Sequence, residues 1–364
     1  MRFISPLLKH VVFPGLARAG YLNRRAGSGP AILTYHGVWP REYGGVDPNL
    51  DGSLVSADSF RRQLALLRDR YRVISPEQFL LWQKQEMELP PRSVLLTCDD
   101  GLVNTLGEML PVLHEFQIEC LFFVTGASIS GLPAMLWHEE LHLMLLSVAG
   151  HFKLELDQIG LRCAVASSQE KSDLCWRLVT VLSGLDGEAR RRLLNAIRVQ
   201  LGLPEDWASK YLHDPSYSCR FRLLDQPGLR ELQAAGMAIG AHTLSHSMLS
   251  QLPTQSAWRE ISESRCRLER ALGEPVWALA YPFGYPRAVT RRDQMLAQRA
   301  GFTCAFLNAG GGFGAPVPPF ALPRVHVSGE MNLAEFEAHL SGFYSVLRRR
   351  FLGEVAEEIV EVGA

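Results

Sequence analysis

Between Pro30 and Leu307, short apolar runs alternate with segments of helical periodicity, and that alternation admits few folds. Ala31–Tyr35 reads as a buried strand ending at His36-Gly37, and a helix follows from Ser56 with Phe60, Leu64 and Leu67 on one face. Ser75-Pro76-Glu77-Gln78 has the form of a helix start: a serine cap, proline at the first position and glutamine closing a capping box. Val94–Cys98 is the next strand, then a helix over about Asn104 to Phe116 leads into a strand at Cys120–Val124. The rhythm lapses and resumes at Met237–Ala241. A helix Thr254 to Leu272 stopped by Gly273, a strand Val276–Tyr281, a helix Thr290 to Ala300 stopped by Gly301 and a strand Phe302–Leu307 complete it. Glycine at a helix exit supplies the left-handed residue of a C-cap. Strands joined by crossover helices form a parallel sheet covered on both faces. About seven or eight such units suffice to close a barrel, although periodicity alone does not distinguish a barrel from an open sheet.

The lapse, about Ile129 to Arg220, carries helical stretches at Leu141–Val148, Lys171–Leu182 and Glu188–Leu201, and reads as a helical insertion over one face. The expected organisation is an arm over residues 1–29, a main domain over 30–330 with the insertion at about 129–220, and a C-terminal helical segment over 331–364. That last segment begins near Asn332 and carries Arg348-Arg349-Arg350, read as a solvated face. In the arm, Met1–Leu22 is apolar with scattered Arg2, Lys9, His10 and Arg18. Lys9, His10, Pro6 and Pro14 interrupt the unbroken apolar stretch of about 7 residues that a secretory signal needs. We therefore read an arm packed on the domain, with contact at a membrane surface as the second reading, and expect a cytoplasmic or membrane-peripheral location with secretion left open.

Charge narrows the function. Lys+Arg 37 against Asp+Glu 38 gives a net charge of −1, with no basic excess to grip a phosphate backbone, so no nucleic-acid partner is expected. The seven cysteines are scattered, without a CxxC pair, and read as reduced thiols.

In parallel α/β folds, reactive residues lie just past the carboxyl ends of strands. Three segments satisfy this rule. Asp99-Asp100-Gly101 follows an apolar strand; two adjacent carboxylates repel unless a cation or proton separates their roles, and the plain alternative is a helix-capping turn. His242-Thr243-Leu244-Ser245-His246 follows Gly240-Ala241, and on a helical turn both imidazoles would reach one ion. Two histidines and one carboxylate make a facial ligand set that leaves positions for water and substrate, and the second carboxylate is then free to act as a base. The third segment, Tyr281-Pro282-Phe283-Gly284-Tyr285-Pro286, suits a rigid loop lining a cleft.

Thr97-Cys98-Asp99-Asp100-Gly101, His242–His246 and Tyr281-Pro-Phe-Gly284 resemble, in order and spacing, the first three motifs of the NodB-type polysaccharide deacetylases (carbohydrate esterase family 4). Thr34-Tyr35-His36-Gly37 resembles the first strand of their exopolysaccharide-deacetylase branch. The resemblance spans about residues 30 to 330 without the insertion. It implies a distorted (β/α) barrel and metal-dependent removal of N-acetyl groups from amino sugars. By position it makes Asp99 the general base and Asp100, His242 and His246 the ligands of a divalent metal. Zinc suits that set first, with cobalt, nickel, iron and manganese also compatible. The oxyanion would lean on the metal and on a backbone N–H near Phe283, with Tyr281 and His36 on the substrate side. Two departures stand out. Cys98 replaces the usual Phe, and Ala280 stands where the family often has the Arg that holds the catalytic Asp. Arg324, in Leu322-Pro323-Arg324-Val325-His326, is the candidate replacement, and His326 the candidate general acid, since His339 falls on a helical face.

Four other readings compete. Trp137-His138-Glu139-Glu140-Leu141-His142 is close to the His-Glu-x-x-His of zinc proteases, although no third ligand is evident and the plain reading is an amphipathic helix over the cleft. Cys98 as a nucleophile has no supporting local signature. A non-catalytic carbohydrate-binding barrel, or an amidase acting on a non-acetyl C–N bond, would use the same fold. The expected partner is an N-acetylated glycan or a lipid-linked saccharide.

Overall fold

The computed structural model describes residues 6–23, 29–129, 134–310, 318–344 and 346–347. Ten strands are present among them: β1 (Ala31–Tyr35), β2 (Arg72–Val73), β3 (Ser93–Cys98), β4 (Leu121–Val124), β5 (Phe152–Leu156), β6 (Leu161–Val165), β7 (Ala238–Ala241), β8 (Ala278–Ala280), β9 (Cys304–Phe306) and β10 (Val325–His326). Eight of them form one sheet in the order β10-β1-β3-β4-β7-β8-β9, with β2 on β3, and every pairing is parallel.

The sheet closes. Leu322 bridges Phe306 of β9, with the Leu307 N–H donating to the Leu322 carbonyl at 2.8 Å, and three residues later β10 pairs with β1 at Leu33–Val325 and Thr34–His326. The wall between β9 and β1 is thus a short irregular stretch instead of a full strand, which makes the barrel a distorted one.

Period-two alternation divides the strand residues between two cores. Ala31, Leu33, Tyr35, Val94, Leu96 and Cys98 join the large cluster under the helices. Ile32, Leu95, Leu121, Phe123, Ala278, Ala280, Phe306 and Leu322 form a second cluster that fills the barrel. Asp99 continues the inward set that Leu95 and Thr97 begin. Thr34 and Thr97 lie inside with their hydroxyls 2.9 Å apart, and Thr97 donates to the Leu33 carbonyl at 2.7 Å, so the interior polar groups are satisfied.

Helix ends follow the expected chemistry. Ser56 caps Ala57–Arg70, Ser75 and Gln78 close a capping box on Pro76–Gln83, and Gly273 leaves Thr254–Leu272 at φ +77°. The helix expected over Asn104 to Phe116 splits into a π turn, Thr105–Met109, and an α-helix, Leu110–Phe116. Pro111 has no N–H to donate back along the helix, and the wider turn absorbs the break.

The insertion is not wholly helical. Besides Trp137–Ser147, Ser168–Ser183 and Gly187–Gln200 it holds the antiparallel hairpin β5–β6. The alternation of Phe152, Leu154 and Leu156 with Lys153 and Glu155 carried that signal, and Gly160 makes the turn at φ +61°. Leu141, Leu145, Leu154, Leu178, Leu182 and Ile197 give it a core of its own. Toward the termini, Phe13 is buried against Phe343 and Tyr344, and Leu22 and Ala338 join the same cluster. The arm therefore packs on the segment after Asn332. No helix among the described residues is long and apolar enough to cross a membrane. Arg348–Arg350 and Gly311-Gly312 lie outside the described residues.

Candidate active site

The ends of β3, β7 and β8 converge, and each turns through left-handed backbone. Asp100 and Gly101 have φ +76° and +73°, Thr243 and His246 +59° and +53°, Phe283 and Gly284 +63° and +57°. A non-glycine residue there costs about 1–3 kcal/mol and persists only where its surroundings over-determine it. At Gly101 a Cβ would also meet the Val124 side chain at 2.8 Å. The expected helical turn at His242–His246 is instead a tight non-helical loop, which still brings the two rings to 5.0 Å between centroids.

Asp100 Oδ1 lies 3.5 Å from His242 Nε2 and 3.3 Å from His246 Nε2, and the three candidate ligand atoms fall within 4.8 Å of one another. This is the only such grouping among the described residues. His242 Nδ1 donates to the Ala280 carbonyl at 2.8 Å, which turns Nε2 toward the carboxylate. When that nitrogen loses its proton, two acceptors face each other, an arrangement that a cation between them relieves. The donor set fits a divalent metal that takes nitrogen and oxygen ligands. Burial pushes the Asp100 carboxyl up, but hydrogen bonds to His242 and His246 outweigh it and hold it well below the usual range.

Asp99 belongs to a separate arrangement. Arg324 Nη1 and Nη2 donate to its two carboxylate oxygens, each at 2.6 Å. The same guanidinium donates to the Leu307 carbonyl at 3.0 Å and to Thr97 Oγ1 at 3.1 Å, and it lies 5.2 Å and 5.9 Å from the Phe123 and Phe306 rings inside the barrel. Burial raises the Asp99 carboxyl, and the Arg324 charge, with His242 and His36, overrides it and keeps it ionised. The cation missing at Ala280 thus arrives from the segment between β9 and β10.

These groups lie at the floor of an open cleft with about 240 Å³ of space accessible to water. His36, Tyr281, Phe283 and Asn308 line it with the two Asp and two His residues. His326 does not. It packs behind His36, with ring centroids 4.9 Å apart, and burial pushes its pKa down to about 3. The Tyr281 hydroxyl donates to the Phe320 carbonyl at 3.1 Å and is not free for a substrate. The Phe283 N–H has no partner among the described residues. Cys98 is fully buried, burial raises its thiol, and it does not line the cleft.

Sequence reasoning missed the insertion's share. Trp137 Nε1 donates to the His246 carbonyl at 2.9 Å, and the His138 ring lies against the His246 ring at 4.9 Å. Arg190 lies 4.8 Å over the Trp137 ring and donates to the Ser245 carbonyl at 3.2 Å, to Ser245 Oγ and to Ser247 Oγ at 3.0 Å. From the barrel side Glu260 accepts from the Ser245 N–H at 2.8 Å. The protease-like hexapeptide is thereby divided. His138 faces the cleft floor, Glu139 pairs with buried Arg220 at 2.7 Å, and His142 pairs with Asp47 at 3.5 Å. No motif distinguishes Arg190 from the other cations of its helix.

Residues 205–305 match the family model described as polysaccharide deacetylase, a span that includes His242, His246 and Tyr281–Gly284. No curated protein matches the chain. The fold is shared with the Streptococcus pyogenes deacetylase PplD in complex with acetate (TM-score 0.53, 17% identity, 86% of this chain and 99% of that one). IcaB from Ammonifex degensii shares it equally well (0.52, 18%, 87% and 99%), as does a de-N-acetylase from Aggregatibacter actinomycetemcomitans (0.52, 14%, 85% and 98%). Asp99 and Asp100 precede the matched span, and the barrel carries them to its histidines. Over residues 205–305 the chain thus matches the polysaccharide deacetylase family model, and over most of its length it shares the fold of these deacetylases.

Proposed function

We propose that the protein is a metal-dependent hydrolase that removes N-acetyl groups from an amino-sugar-containing glycan. One observation carries the reading: an Arg324-anchored, ionised Asp99 stands beside the Asp100, His242 and His246 set at the floor of a single cleft. Asp100, His242 and His246 would hold the ion, zinc being the first choice for two imidazoles and a carboxylate. When bound, a divalent ion supplies Lewis-acid polarisation of the amide carbonyl and acidifies water at neutral pH.

The remaining chemistry falls to the chain. Asp99 takes the proton from the attacking water; Arg324 occupies one lone-pair direction on each carboxylate oxygen and leaves the others available. The free Phe283 N–H donates to the oxygen of the acetamido group as charge builds there. His36, at the cleft surface, returns a proton to the leaving amine nitrogen. His326 is unsuited to that role because it is held neutral behind His36. The test is acetate release from N-acetylglucosamine oligomers by metal-stripped and zinc-reconstituted protein. Release only after reconstitution is expected, and release independent of metal would overturn the reading.

A further inference from the structure

The N-terminal arm presents two apolar faces, and the fold covers one of them. Its helical stretch, Leu8–Val12 continued by Phe13–Arg18, buries Phe13 and packs Leu8, Leu16 and Ala17 in one cluster with Ala338 and Phe343. The opposite side carries Leu7 and Val11, four residues apart and 62% and 60% exposed, with exposed His10 and Arg18 beside them. Tyr21, 49% exposed, meets the Phe343 ring edge-on at 5.9 Å, and Val346, 51% exposed, stands three residues beyond that ring. An ordinary surface helix turns charge outward. Ala57–Arg70, which Arg70 ties to Glu337 of the same C-terminal segment, exposes Asp58, Arg62, Arg68, Asp69 and Arg70 and no large apolar side chain. A helix apolar on both sides calls for a second apolar surface over it.

Charge identifies that surface. Residues 1–29 contain Arg2, Lys9, Arg18, Arg24 and Arg25 and no Asp or Glu, in a chain whose net charge is −1. Lys9 pairs with Glu335 at 3.7 Å on the packed side, while His10 and Arg18 stand on the outer one. Aliphatic side chains bordered by cations, with no carboxylate among them, complement an anionic bilayer: the apolar groups enter the acyl boundary and the cations meet lipid phosphates. A second copy fits worse, because a two-fold contact would bring two cationic faces together with no carboxylate to offset them.

The place of the arm in the fold gives the contact a consequence. Asn332 Nδ2 donates to the Lys9 carbonyl at 2.9 Å, and Asn332 caps Leu333–Leu340 just after β10, at the end of the barrel where the cleft lies. Leu7 and Val11 flank Lys9, so a bilayer held there lies beside the cleft mouth. We propose that the outer face of the arm, centred on Leu7 and Val11, docks the protein on an anionic lipid bilayer. The proposal stands apart from the deacetylase reading, and its test reads binding instead of turnover.

The experiment sediments the zinc-reconstituted full chain with vesicles of phosphatidylcholine alone and of equimolar phosphatidylcholine and phosphatidylglycerol. It compares wild type, the double variant Leu7→Glu, Val11→Glu, and Arg18→Glu. Wild type should bind the mixed vesicles at least about ten-fold more tightly than phosphatidylcholine alone, and rising salt should weaken that binding. The double variant should lose about ten-fold or more and Arg18→Glu about five-fold, each with an unchanged melting temperature because these side chains are exposed. If the paired glutamates lower the melting temperature, the milder Leu7→Ser, Val11→Ser pair takes their place, with about a five-fold loss expected. No sedimentation of wild type, equal sedimentation with both vesicles, or an unchanged apolar double variant would overturn the proposal. A dimer in light scattering that the double variant loses would also overturn it and give the face to a second copy.

Discussion

The two walls of the cleft were built by different rules. On the barrel side, Asp99, Asp100, His242, His246 and Phe283 all stand immediately after short apolar strands, where the topology of any parallel barrel puts its reactive groups. On the insertion side, His138 and Trp176 line the same cleft while Trp137 and Arg190 hold its histidine loop, all from helices with a hydrophobic core of their own, and their positions depend on how that unit docks. The comparison separates the groups that perform chemistry from those that hold and select. The barrel wall supplies ligands and base, and the insertion wall braces the backbone of the histidine loop and shapes the mouth.

The largest effects should come from the barrel wall. His242→Ala is expected to abolish metal binding, read as metal content after dialysis; a variant that keeps stoichiometric metal would remove His242 from the ligand set. Arg324→Lys keeps a charge but loses the two-pronged grip on Asp99, and a misplaced base costs about a hundred-fold in kcat. Its pH profile gives the sign. Arg324 holds the Asp99 pKa down, so weakening the pair raises that pKa, and the acid limb of activity should move to higher pH. An unshifted limb would separate Asp99 from the proton-transfer step.

Insertion variants should act through metal affinity. Arg190→Met, or Trp137→Phe, which removes only the indole N–H, is expected to weaken zinc binding about ten-fold, as is usual for groups supporting a ligand. In saturating zinc, kcat should return to near the wild-type value. If kcat stays low in saturating zinc, the insertion contributes to chemistry and the division between the walls fails.

The smallest effect is expected at His326. Burial holds its folded-state pKa at about 3, below the ordinary 6.5, so the folded chain binds fewer protons than the unfolded one in between. The stability this contributes is fully present above 6.5 and is lost as pH falls, by up to about 1.4 kcal/mol per pH unit. His326→Gln should therefore flatten the acid limb of thermal stability and leave activity within about three-fold, against about a hundred-fold or more for a true general acid. A loss of that larger size would restore His326 to the reaction and displace His36.

The same contrast sets what could be read from the residues alone. Strand runs, caps and glycine stops predicted most barrel elements to within a residue or two, because local pattern and tertiary burial agree there. Arg324 could be named because one cation was missing before Tyr281 and one stood in a late strand-end segment. The loop at His242–His246 was misjudged as helical, since its left-handed residues are imposed by contacts from Trp137, Arg190 and Glu260. The β5–β6 hairpin was overlooked between stronger helical signals, although its alternation is plain. Arg190 and Trp176 had no legible signal, because one cation or aromatic on an amphipathic helix looks like any other until the helix is docked.

The most direct test of the account is to measure zinc content and acetate release from the N-acetylglucosamine tetramer together in Asp99→Asn. The account predicts one zinc bound as in wild type and turnover lowered by about a thousand-fold or more, the loss of a positioned base. Acetate release near the wild-type rate, or loss of the zinc along with activity, would contradict the division of labour between Asp99 and Asp100.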